Sequence, residues 1–417
     1  MGAGTTTGAR RGDRAGRGNG SGEIDEVLML TNAVAPDKLG GLERYVRELS
    51  ASLVAKGMPV TVLTKQVNPG DPLDEVADDG VHIVRHRVPS KEKRTFAVQY
   101  PVYVSAGILR HLRTAGPRTL VHGHYAITSL PVSFGRRPYV YTFHAPVNKE
   151  MLSERGGSYA LPGATQRTAV RGLRTAERHV VSRASRAVVL SRFMRDELGE
   201  LSEASATTSC LIAGGIDTHW FSPGPRVRTA WAADADPLLF AARRLTARTG
   251  VTELVEAMPE VVARHPGARL AVAGDGHLRA DIERRIVALG VGDHVRLLGR
   301  VSDEDLRKWY RAADLTVTPT QELEGFGLST AEALAVGTPA LVTPVGANPE
   351  LVQDLEARLV AGGATPAHLA RAICRLVDEE GLLARLRGPA RDHAHPRWSW
   401  GQVADRYLEL YRTGVAR

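Results

Sequence analysis

Short apolar runs alternate with longer segments of helical periodicity along most of this chain. The first cycle begins with an apolar strand over Glu26–Leu30, continues with a helix from about Leu42 to Lys56, and returns to a strand after Gly57. The apolar residues of the helix share one face: Leu42, Tyr45, Val46, Leu49 and Leu53. Strand, helix and parallel strand form the unit of a doubly wound sheet, whose ligands collect at the carboxyl ends of the strands.

The same alternation continues and then restarts after a proline-rich segment. In the first half, the pattern predicts further strands that end near His124, His144 and Ser191. Beyond the segment Phe221–Pro237, strands are predicted over Leu238–Ala242, Arg269–Ala273, Val295–Leu298 and Leu315–Val317, with helices between them. The sequence therefore predicts the α/β class, with two Rossmann-like doubly wound domains facing a cleft.

The predicted division of the chain follows from this alternation. An N-terminal domain covers residues 23–217, and a C-terminal domain covers residues 218–395. Residues 396–417 are predicted to form a helix that crosses back to the N-terminal domain. Residues 1–22 are rich in Gly, Ala, Thr and Arg, have almost no apolar bulk, and are predicted to be a disordered basic tail.

The charge of the chain argues against nucleic acid as a partner. The formal net charge is +8, and four arginines against one aspartate in the tail contribute +3 of it, which leaves +5 for the rest. A nucleic-acid-binding protein concentrates basic and aromatic residues on one element, whereas aromatic residues are only 5% of this chain. An anionic small substrate explains the basic balance equally well.

Targeting, membrane and metal signals are weak. There is no signal-peptide pattern and no apolar run of the ~20 residues that a transmembrane helix needs, so a cytoplasmic location is expected. The basic helix predicted over Thr165–Arg186 could lie on an anionic membrane, but a solvated arginine face is the favoured interpretation.

Cys210 and Cys374 lack partners at metal-ligand spacing, and His122-Gly-His124 lacks a third ligand. No metal and no cofactor are predicted.

The most informative stretch is a glycine loop between a strand and a helix. Gly325–Gly327 follows the strand at Leu315–Val317 and precedes an Ala/Leu-rich helix over Ser329–Val336. The free N–H groups at the start of such a helix suit a phosphate or diphosphate, and the glycines allow close approach. Two carboxylates, Glu324 and Glu332, flank this anion site, so they are expected to bind other groups, of which sugar hydroxyls are the obvious candidates.

This stretch resembles the Glu-x7-Glu motif of the retaining nucleotide-sugar glycosyltransferases of family 4, which have the GT-B fold. The resemblance extends over about residues 24 to 412. It implies that the N-terminal domain lies on the acceptor side and that the C-terminal domain binds the nucleotide sugar. It implies that Glu324 is catalytic and lies against the donor sugar, and that Glu332 accepts hydrogen bonds from the ribose hydroxyls. It also implies that the donor diphosphate lies on the loop and helix start, at Gly325, Phe326, Gly327 and Leu328.

Other segments match the same family. The Gly40-Gly41 loop resembles the one whose amides approach the donor diphosphate and the acceptor. His144, in Thr-Phe-His, matches a position near the reaction centre and is favoured over His122 and His124 as a catalytic residue. Arg300 and Val301 lie where the family contacts the nucleotide base through backbone groups.

Two departures from the family pattern concern the diphosphate and the end of the first domain. Arg244 matches the arginine of the family's Arg-x4-Lys-Gly pattern, but the lysine position is Thr249. In the family, that arginine and lysine bind the donor diphosphate. We expect Arg248 to supply the positive charge that Thr249 lacks; in the competing interpretation Arg243 or another arginine supplies it. Gly214 stands where the family has an asparagine, so a contact from that asparagine is absent.

The function implied by the resemblance is transfer of a sugar from a nucleoside diphosphate sugar, with retention and without a metal ion. UDP-sugars are favoured by their frequency in the family, and a soluble small acceptor such as a cyclitol or a natural-product aglycone is expected. A lipid-linked or polysaccharide acceptor is an alternative. A UDP-sugar epimerase of the same fold, and a regulator that binds a sugar nucleotide without turnover, also remain open.

Overall fold

A computed structural model describes residues 24–38, 40–89, 96–147, 149 and 163–414. The tail predicted to be disordered, residues 1–22, lies outside the described residues. The strands are β1 Glu26–Leu30, β2 Val60–Lys65, β3 Asp74–Val76, β4 His82–His86, β5 Thr119–Gly123, β6 Tyr139–Phe143, β7 Arg186–Val189, β8 Cys210–Leu211, β9 Leu238–Ala242, β10 Arg269–Ala273, β11 Val295–Gly299, β12 Leu315–Thr318 and β13 Ala340–Val342.

The α-helices of the described residues connect these strands. They are α1 Gly41–Ala55, α2 Phe96–Thr114, α3 Ala126–Ser133, α4 Gly163–Arg183, α5 Arg192–Gly199, α6 Glu203–Thr207, α7 Val251–Arg264, α8 Arg279–Ala288, α9 Asp303–Ala312, α10 Leu328–Ala335, α11 Asn348–Val352, α12 Pro366–Asp378, α13 Leu382–Arg385, α14 Arg387–Trp398 and α15 Trp400–Gly414. None of these helices combines the length and apolar character needed to cross a membrane.

The first sheet has the strand order β3-β4-β2-β1-β5-β6-β7-β8. All neighbouring strands are parallel except β3, which runs antiparallel to β4. The central strand β1 has four consecutive residues with no exposed surface, Val27 to Leu30. An apolar strand of this kind is typical of a sheet that is covered by helices on both faces.

The second sheet has the order β11-β10-β9-β12-β13 and is parallel throughout. In both sheets the chain winds outwards in one direction and then in the other, so β1 and β9 each lie where the direction reverses. In sheets of this type, ligands bind outside the carboxyl ends of the strands at that point. The fold therefore directs attention to the segments that follow β1 and β9. The predicted α/β class with two doubly wound sheets is confirmed.

The element boundaries near the cleft differ from the predicted ones by a few residues. The strand predicted to end on Ser191 ends at Val189, and Ser191 instead begins helix α5, where its hydroxyl accepts a hydrogen bond from the backbone N–H of Met194. This serine is a favourable helix N-cap. The division into domains at residues 217 and 395 stays a prediction.

The last helix of the chain packs on the first sheet. The hydroxyl of Tyr407, in α15, lies 2.8 Å from that of Tyr45 in α1 and 3.0 Å from Thr142 Oγ1 in β6. Tyr411 lies 2.8 Å from His122 Nδ1 at the end of β5. All of these side chains are buried, and buried polar groups of this kind need such partners. The C-terminal helix thus completes a polar network beneath the wall of the cleft.

Candidate active site

A single large cleft of about 970 Å³ lies between the carboxyl ends of the two sheets, within the described residues. Its walls come from both halves of the chain. They contain most of the residues singled out from the sequence: Gly40, Gly41, His144, Arg244, Arg248, Glu324, Gly325, Phe326, Gly327, Leu328 and Glu332. Residues separated by nearly 300 positions are thereby brought into one site.

Arg300 and Val301 are not among the residues that line the cleft, and their contact with the nucleotide base stays a prediction. They follow directly on β11, and the side chain of Arg300 is exposed to solvent. The wall at this place is formed instead by the first turns of α9, through Asp303, Leu306 and Tyr310. The loop after β11 is short, so the start of the helix and not the loop occupies this part of the cleft.

The glycine loop is shaped by contacts that a side chain would prevent. A Cβ atom at Gly325 would lie 2.7 Å from the carbonyl oxygen of His144, and one at Gly327 would lie 2.7 Å from Leu351 Cδ1. Gly327 also has φ 97°, a left-handed conformation that favours glycine. Leu323, just before the loop, has φ 45°. Unfavourable backbone conformations of this kind concentrate at functional sites.

Helix α10 begins at this loop with unpaired backbone N–H groups. Its N-cap residue, Gly327, offers no side chain to accept a hydrogen bond, and the first bond within the helix runs from the N–H of Ala331 to the carbonyl oxygen of Gly327. The preceding N–H groups point out of the helix start and are available to an anion. This geometry agrees with the anion site expected from the sequence.

Glu324 is held by an arginine from the second sheet. Its Oε2 accepts a hydrogen bond of 2.7 Å from Arg243 Nη2 and one of 3.3 Å from Thr320 Oγ1. Arg243 also donates to Thr320 Oγ1 at 2.9 Å and to Ser329 Oγ at 3.3 Å. Both members of the ion pair are largely buried, with side chains 11% and 16% exposed. Arg243 thus orients Glu324, and both terminal nitrogens of its guanidinium group are used in these hydrogen bonds.

Glu332 is buried in the wall and bridges the two halves of the chain. Tyr310 OH donates to its Oε2 at 3.1 Å, and Arg44 Nη1 donates to its Oε1 at 3.3 Å. Burial raises the pKa of Glu332 to about 6, and the charge of Arg44 opposes that rise. Arg44 belongs to α1, so this ion pair crosses the cleft.

Two further arginines stand beside the glycine loop. Arg244 is exposed at the cleft, and Arg248 is half-buried there, with its Nη1 donating to the carbonyl oxygen of Leu323 at 3.2 Å. The side chain of Thr249 turns into its own loop, where its hydroxyl lies 2.5 Å from the carbonyl oxygen of Arg244. Thr249 is 4% exposed and therefore holds the loop's shape. Arg244 and Arg248, the two cations expected to bind the diphosphate, both line the cleft.

His144 lines the opposite wall at the end of β6. Its ring lies edge-on to that of Tyr45, with centroids 4.8 Å apart, and its Nε2 is 3.1 Å from His124 Nδ1. Burial lowers the pKa of His144 to about 3, so the ring is neutral at physiological pH. No group of three or more potential metal ligands comes together in the described part of the chain.

Several contacts across the cleft were not expected from the sequence. Ser191 Oγ donates to the carbonyl oxygen of Gly325 at 2.8 Å. The carboxylate of Glu350 accepts hydrogen bonds of 2.9 Å from the backbone N–H groups of Arg192 and Phe193, at the start of α5. A carboxylate is favourable at the positive end of a helix. These contacts hold the first sheet's loops against the glycine loop.

Phe326 explains one departure from the family pattern. Its ring lies where a Cβ atom at position 214 would stand, and it packs at right angles to Trp398 with centroids 5.9 Å apart. Only glycine at position 214 leaves room for this ring. Phe326 is 6% exposed, so it serves chiefly to join the loop to the first half of the chain.

Two glycines in the loop after β10, Gly274 and Gly276, are also required by close packing. Both glycines lie against the carbonyl oxygens of the Arg243–Leu245 segment, where any Cβ atom would clash. Gly274 also has φ 133°. The pair therefore allows two loops to pack beside the cleft.

Arg44 and Tyr310 are the site residues that sequence reasoning missed. Arg44 lies one turn into the helix that the Gly40-Gly41 loop begins, so its helical spacing could have placed it at the cleft. Tyr310 carried no such signal, because its contact with Glu332 depends on the packing of α9 against α10.

The arrangement defines a class of protein. Two doubly wound sheets face each other across a cleft, and an anion-binding glycine loop with two carboxylates lies in its wall; these are the features of a GT-B glycosyltransferase. Two sequence families match the chain: "Glycosyl transferases group 1" over residues 227–393 and "Glycosyl transferase 4-like domain" over residues 40–215.

The full-length relatives agree with that assignment. The chain is 30% identical over 404 residues to a D-inositol 3-phosphate glycosyltransferase of Saccharomonospora viridis, with 90% of each chain covered. It is 29% identical over 423 residues to D-inositol 3-phosphate glycosyltransferase 1 of Catenulispora acidiphila, with 96% of this chain and 98% of the relative covered. The chain belongs to the group 1, family 4-like glycosyltransferases and is a transferase enzyme.

Solved structures show the same fold at low sequence identity. Sucrose-phosphate synthase from Thermosynechococcus elongatus matches with a TM-score of 0.73 and 22% identity, covering 93% of this chain and 98% of that one. Anabaena HepE in complex with UDP and glucose matches with a TM-score of 0.71 and 16% identity, covering 94% and 100%. The predicted GT-B fold is confirmed.

Proposed function

We propose that this enzyme transfers a sugar from a nucleoside diphosphate sugar, with UDP as the favoured nucleotide, to a hydroxyl of a small phosphorylated cyclitol. We further propose that transfer proceeds with retention and without a metal ion. The observation that carries the proposal is the convergence of two helix starts on one cleft. Gly41 begins α1, and a Cβ atom there would lie 3.8 Å from Leu328 Cδ1, at the start of α10.

These two helix starts suit a diphosphate. Neither N-cap residue, Gly40 or Gly327, offers a side chain to satisfy the free N–H groups, and both helices direct their positive ends at the cleft. Arg244 and Arg248 stand beside the second helix start and add positive charge. An anion between the helices would therefore be bound by backbone groups and by fixed cations.

The two carboxylates suit the remaining parts of such a donor. Glu332 lies behind the diphosphate position, and its oxygens, which now bind Tyr310 and Arg44, could accept hydrogen bonds from ribose hydroxyls. Glu324 lies on the other side of the loop, where a donor sugar would stand. HepE has been solved with UDP-glucose, which supports UDP as the first nucleotide to test.

The proposed acceptor rests on the relatives and on charge. The matched relatives are named for D-inositol 3-phosphate. In this chain the segments that lead from β5 and β6 into the cleft, residues 123–126 and 144–147, contain no aspartate or glutamate. An anionic acceptor beside these two strand ends would therefore meet no carboxylate from either segment.

The reaction we propose forms one bond and breaks one bond. The acceptor oxygen bonds to the anomeric carbon while the bond from that carbon to the diphosphate oxygen breaks. The acceptor's proton passes to an oxygen of the leaving diphosphate on the same face of the sugar, which gives retention. Arg244, Arg248 and the start of α10 stabilise the charge that develops on the leaving group.

The ion pair between Glu324 and Arg243 favours this mechanism over a covalent one. A carboxylate that is already bound by an arginine at 2.7 Å is a poor nucleophile but a good electrostatic partner for positive charge on the sugar. His144, neutral at physiological pH, can bind a hydroxyl near the same carbon. A metal ion is not needed in this scheme, because arginines and N–H groups neutralise the diphosphate.

The proposal is tested by screening nucleotide sugars for binding and then assaying the donor that binds with several acceptors. Thermal shift with UDP-, ADP- and GDP-sugars identifies the donor, since a ligand at ~100 times its dissociation constant stabilises by about 2.7 kcal/mol. Incubation of that donor with inositol phosphate, inositol and a lipid-linked acceptor then follows. We expect a glycoside of inositol phosphate, also in EDTA. Release of an epimer would indicate an epimerase, and binding without product would indicate a regulator.

A further inference from the structure

Two buried side chains and a partly buried one form a line from the core of the first sheet to the cleft. Met29, in β1, has its sulfur 3.1 Å from Nε2 of His124, at the end of β5. Nδ1 of His124 lies 3.1 Å from Nε2 of His144 in the cleft wall. Met29 and His124 are 0% and 1% exposed, so water has no access to the contact between the sulfur and Nε2.

The sulfur decides the direction of both hydrogen bonds. Burial lowers the pKa of both histidines, so each ring carries one proton at neutral pH. A thioether can accept a hydrogen bond but cannot donate one. If the proton of His124 were on Nδ1, the lone pair of Nε2 would face the lone pairs of sulfur in a dry core. The proton is therefore placed on Nε2, where it binds the sulfur.

The tautomer of His144 then follows. With its proton on Nε2, His124 has only a lone pair at Nδ1, so the contact with His144 is a hydrogen bond only if His144 donates from its own Nε2. The remaining nitrogen of His144, Nδ1, then carries a lone pair. It makes no hydrogen bond with any described residue, and the ring lines the cleft.

We propose that Met29, acting through His124, fixes His144 as the Nε2–H tautomer, so that Nδ1 accepts a hydrogen bond from a hydroxyl in the cleft. The part that concerns the hydroxyl rests on the proposed transferase function. Met29 and His124 are positioning residues, since they act through His144. The opposite tautomer would present an N–H group, which would suit a phosphate oxygen instead.

The tautomer can be measured without substrate. Nitrogen-15 NMR of histidine-labelled protein distinguishes protonated from unprotonated ring nitrogens, and the His144→Gln variant identifies the signals of His144 among the 14 histidines. We expect an unprotonated Nδ1 and a protonated Nε2 at neutral pH. A protonated Nδ1 overturns the proposal. This result does not depend on whether any sugar is transferred.

The role of Met29 is tested by removing its sulfur. Met29→Leu keeps the apolar volume but leaves Nε2–H of His124 without an acceptor, so the Nδ1–H tautomer of His144 should become populated. Met258→Leu makes the same change at another fully buried methionine, in α7, and should leave the tautomer unchanged. An unchanged tautomer in Met29→Leu overturns the role of Met29.

Substitutions at His124 give an independent check. His124→Asn can place an oxygen where Nδ1 stands and so keep an acceptor for His144, whereas His124→Leu removes it. We expect kcat/KM to fall about fivefold in Met29→Leu and His124→Leu, the effect of one neutral hydrogen bond, and less in His124→Asn. If His124→Asn and His124→Leu lower kcat/KM equally, and His144 keeps the wild-type tautomer in both variants, the proposed role of His124 is contradicted.

Discussion

The two walls of the cleft are built in different ways. The donor wall comes from short segments of the second half, chiefly the glycine loop with Glu324 and the arginines after β9. The acceptor wall depends on residues far apart in sequence: His144 stands above a network that includes Tyr407 and Tyr411 of the last helix. The donor wall can therefore be recognised in a local motif, whereas the acceptor wall exists only in the folded chain.

This difference predicts how each wall responds to substitution. In the donor wall, single residues hold charges in fixed positions, so their loss should remove transition-state stabilisation directly. In the acceptor wall, hydrogen bonds are shared among several buried groups, so a single loss should be smaller and more dependent on the remaining partners.

The largest effect is expected from Glu324→Gln. The amide keeps the shape of the side chain but loses the charge that binds Arg243 and that, in the proposed mechanism, faces the positive charge developing on the sugar. We expect kcat to fall by about 1000-fold, with donor affinity nearly unchanged, because the interaction strengthens as the glycosidic bond breaks. Steady-state kinetics measure both quantities.

Glu322→Gln is the matched control, since Glu322 is exposed two residues away. If Glu324→Gln weakened donor binding and left kcat intact, the sugar-facing role would pass to another residue.

Arg248→Ala is expected to cost about 2 to 4 kcal/mol of transition-state stabilisation, the range for removing one donor to a developing anion. Arg248 is the half-buried cation of the loop, and its side chain donates a hydrogen bond to the carbonyl oxygen of Leu323. Rates at saturating and at limiting donor should both fall.

The competing arginine, Arg243, gives the contrast. Arg243→Ala should damage the enzyme through Glu324, so its effect should largely disappear in the Glu324→Gln background. Suppose that Arg248→Ala kept full activity and that the losses from Arg243→Ala and Glu324→Gln were additive. Arg243, and not Arg248, would then be the residue that binds the phosphate.

His144→Ala should lower the rate by about 100-fold, within the range for a positioned group that acts on the transition state. The loss should be present at saturating donor and acceptor, since the proposed contact of the ring is with the reacting groups and not with the nucleotide. Thermal melting of the variant separates this effect from damage to the network below it. Wild-type turnover would show that His144 is only a wall residue.

The smallest effect is expected from Glu332→Gln. An ionised carboxylate accepts hydrogen bonds from ribose hydroxyls more strongly than a protonated one, and burial raises the pKa of Glu332 to about 6. Donor affinity of the wild type should therefore weaken as the pH falls through about 6, and Glu332→Gln should weaken it about tenfold at pH 7.5 and remove this pH dependence. Calorimetric titration with the nucleotide sugar, whose diphosphate has no group that titrates near pH 6, measures both. Unchanged affinity in the variant would exclude the ribose role.

Sequence reasoning reached further in the donor wall than elsewhere. The position of Glu324 and a helix from Ser329, one residue after its observed start at Leu328, followed from a strand, a glycine pair and a helical run, all within about a dozen residues. The strands Leu238–Ala242 and Arg269–Ala273 were predicted to the residue, because each is an apolar run between clear breaks.

What could not be predicted depends on packing between distant elements. Arg44 meets Glu332 across 288 positions, and Glu350 caps a helix of the other sheet. The family pattern gives the order of Arg300 and Val301 along the chain but not which turn of α9 faces the cleft, so Asp303, Leu306 and Tyr310 were not expected in its wall. A single sequence contains no signal for such choices.

The most direct test of the central claim is the anomeric configuration of the product. Proton NMR of a reaction containing a UDP-α-sugar, inositol phosphate and excess EDTA gives the coupling constant of the new anomeric proton. The account predicts an α-glycoside that forms at the same rate with and without EDTA. A β-glycoside, or a product that forms only when manganese or magnesium is added back, would contradict it.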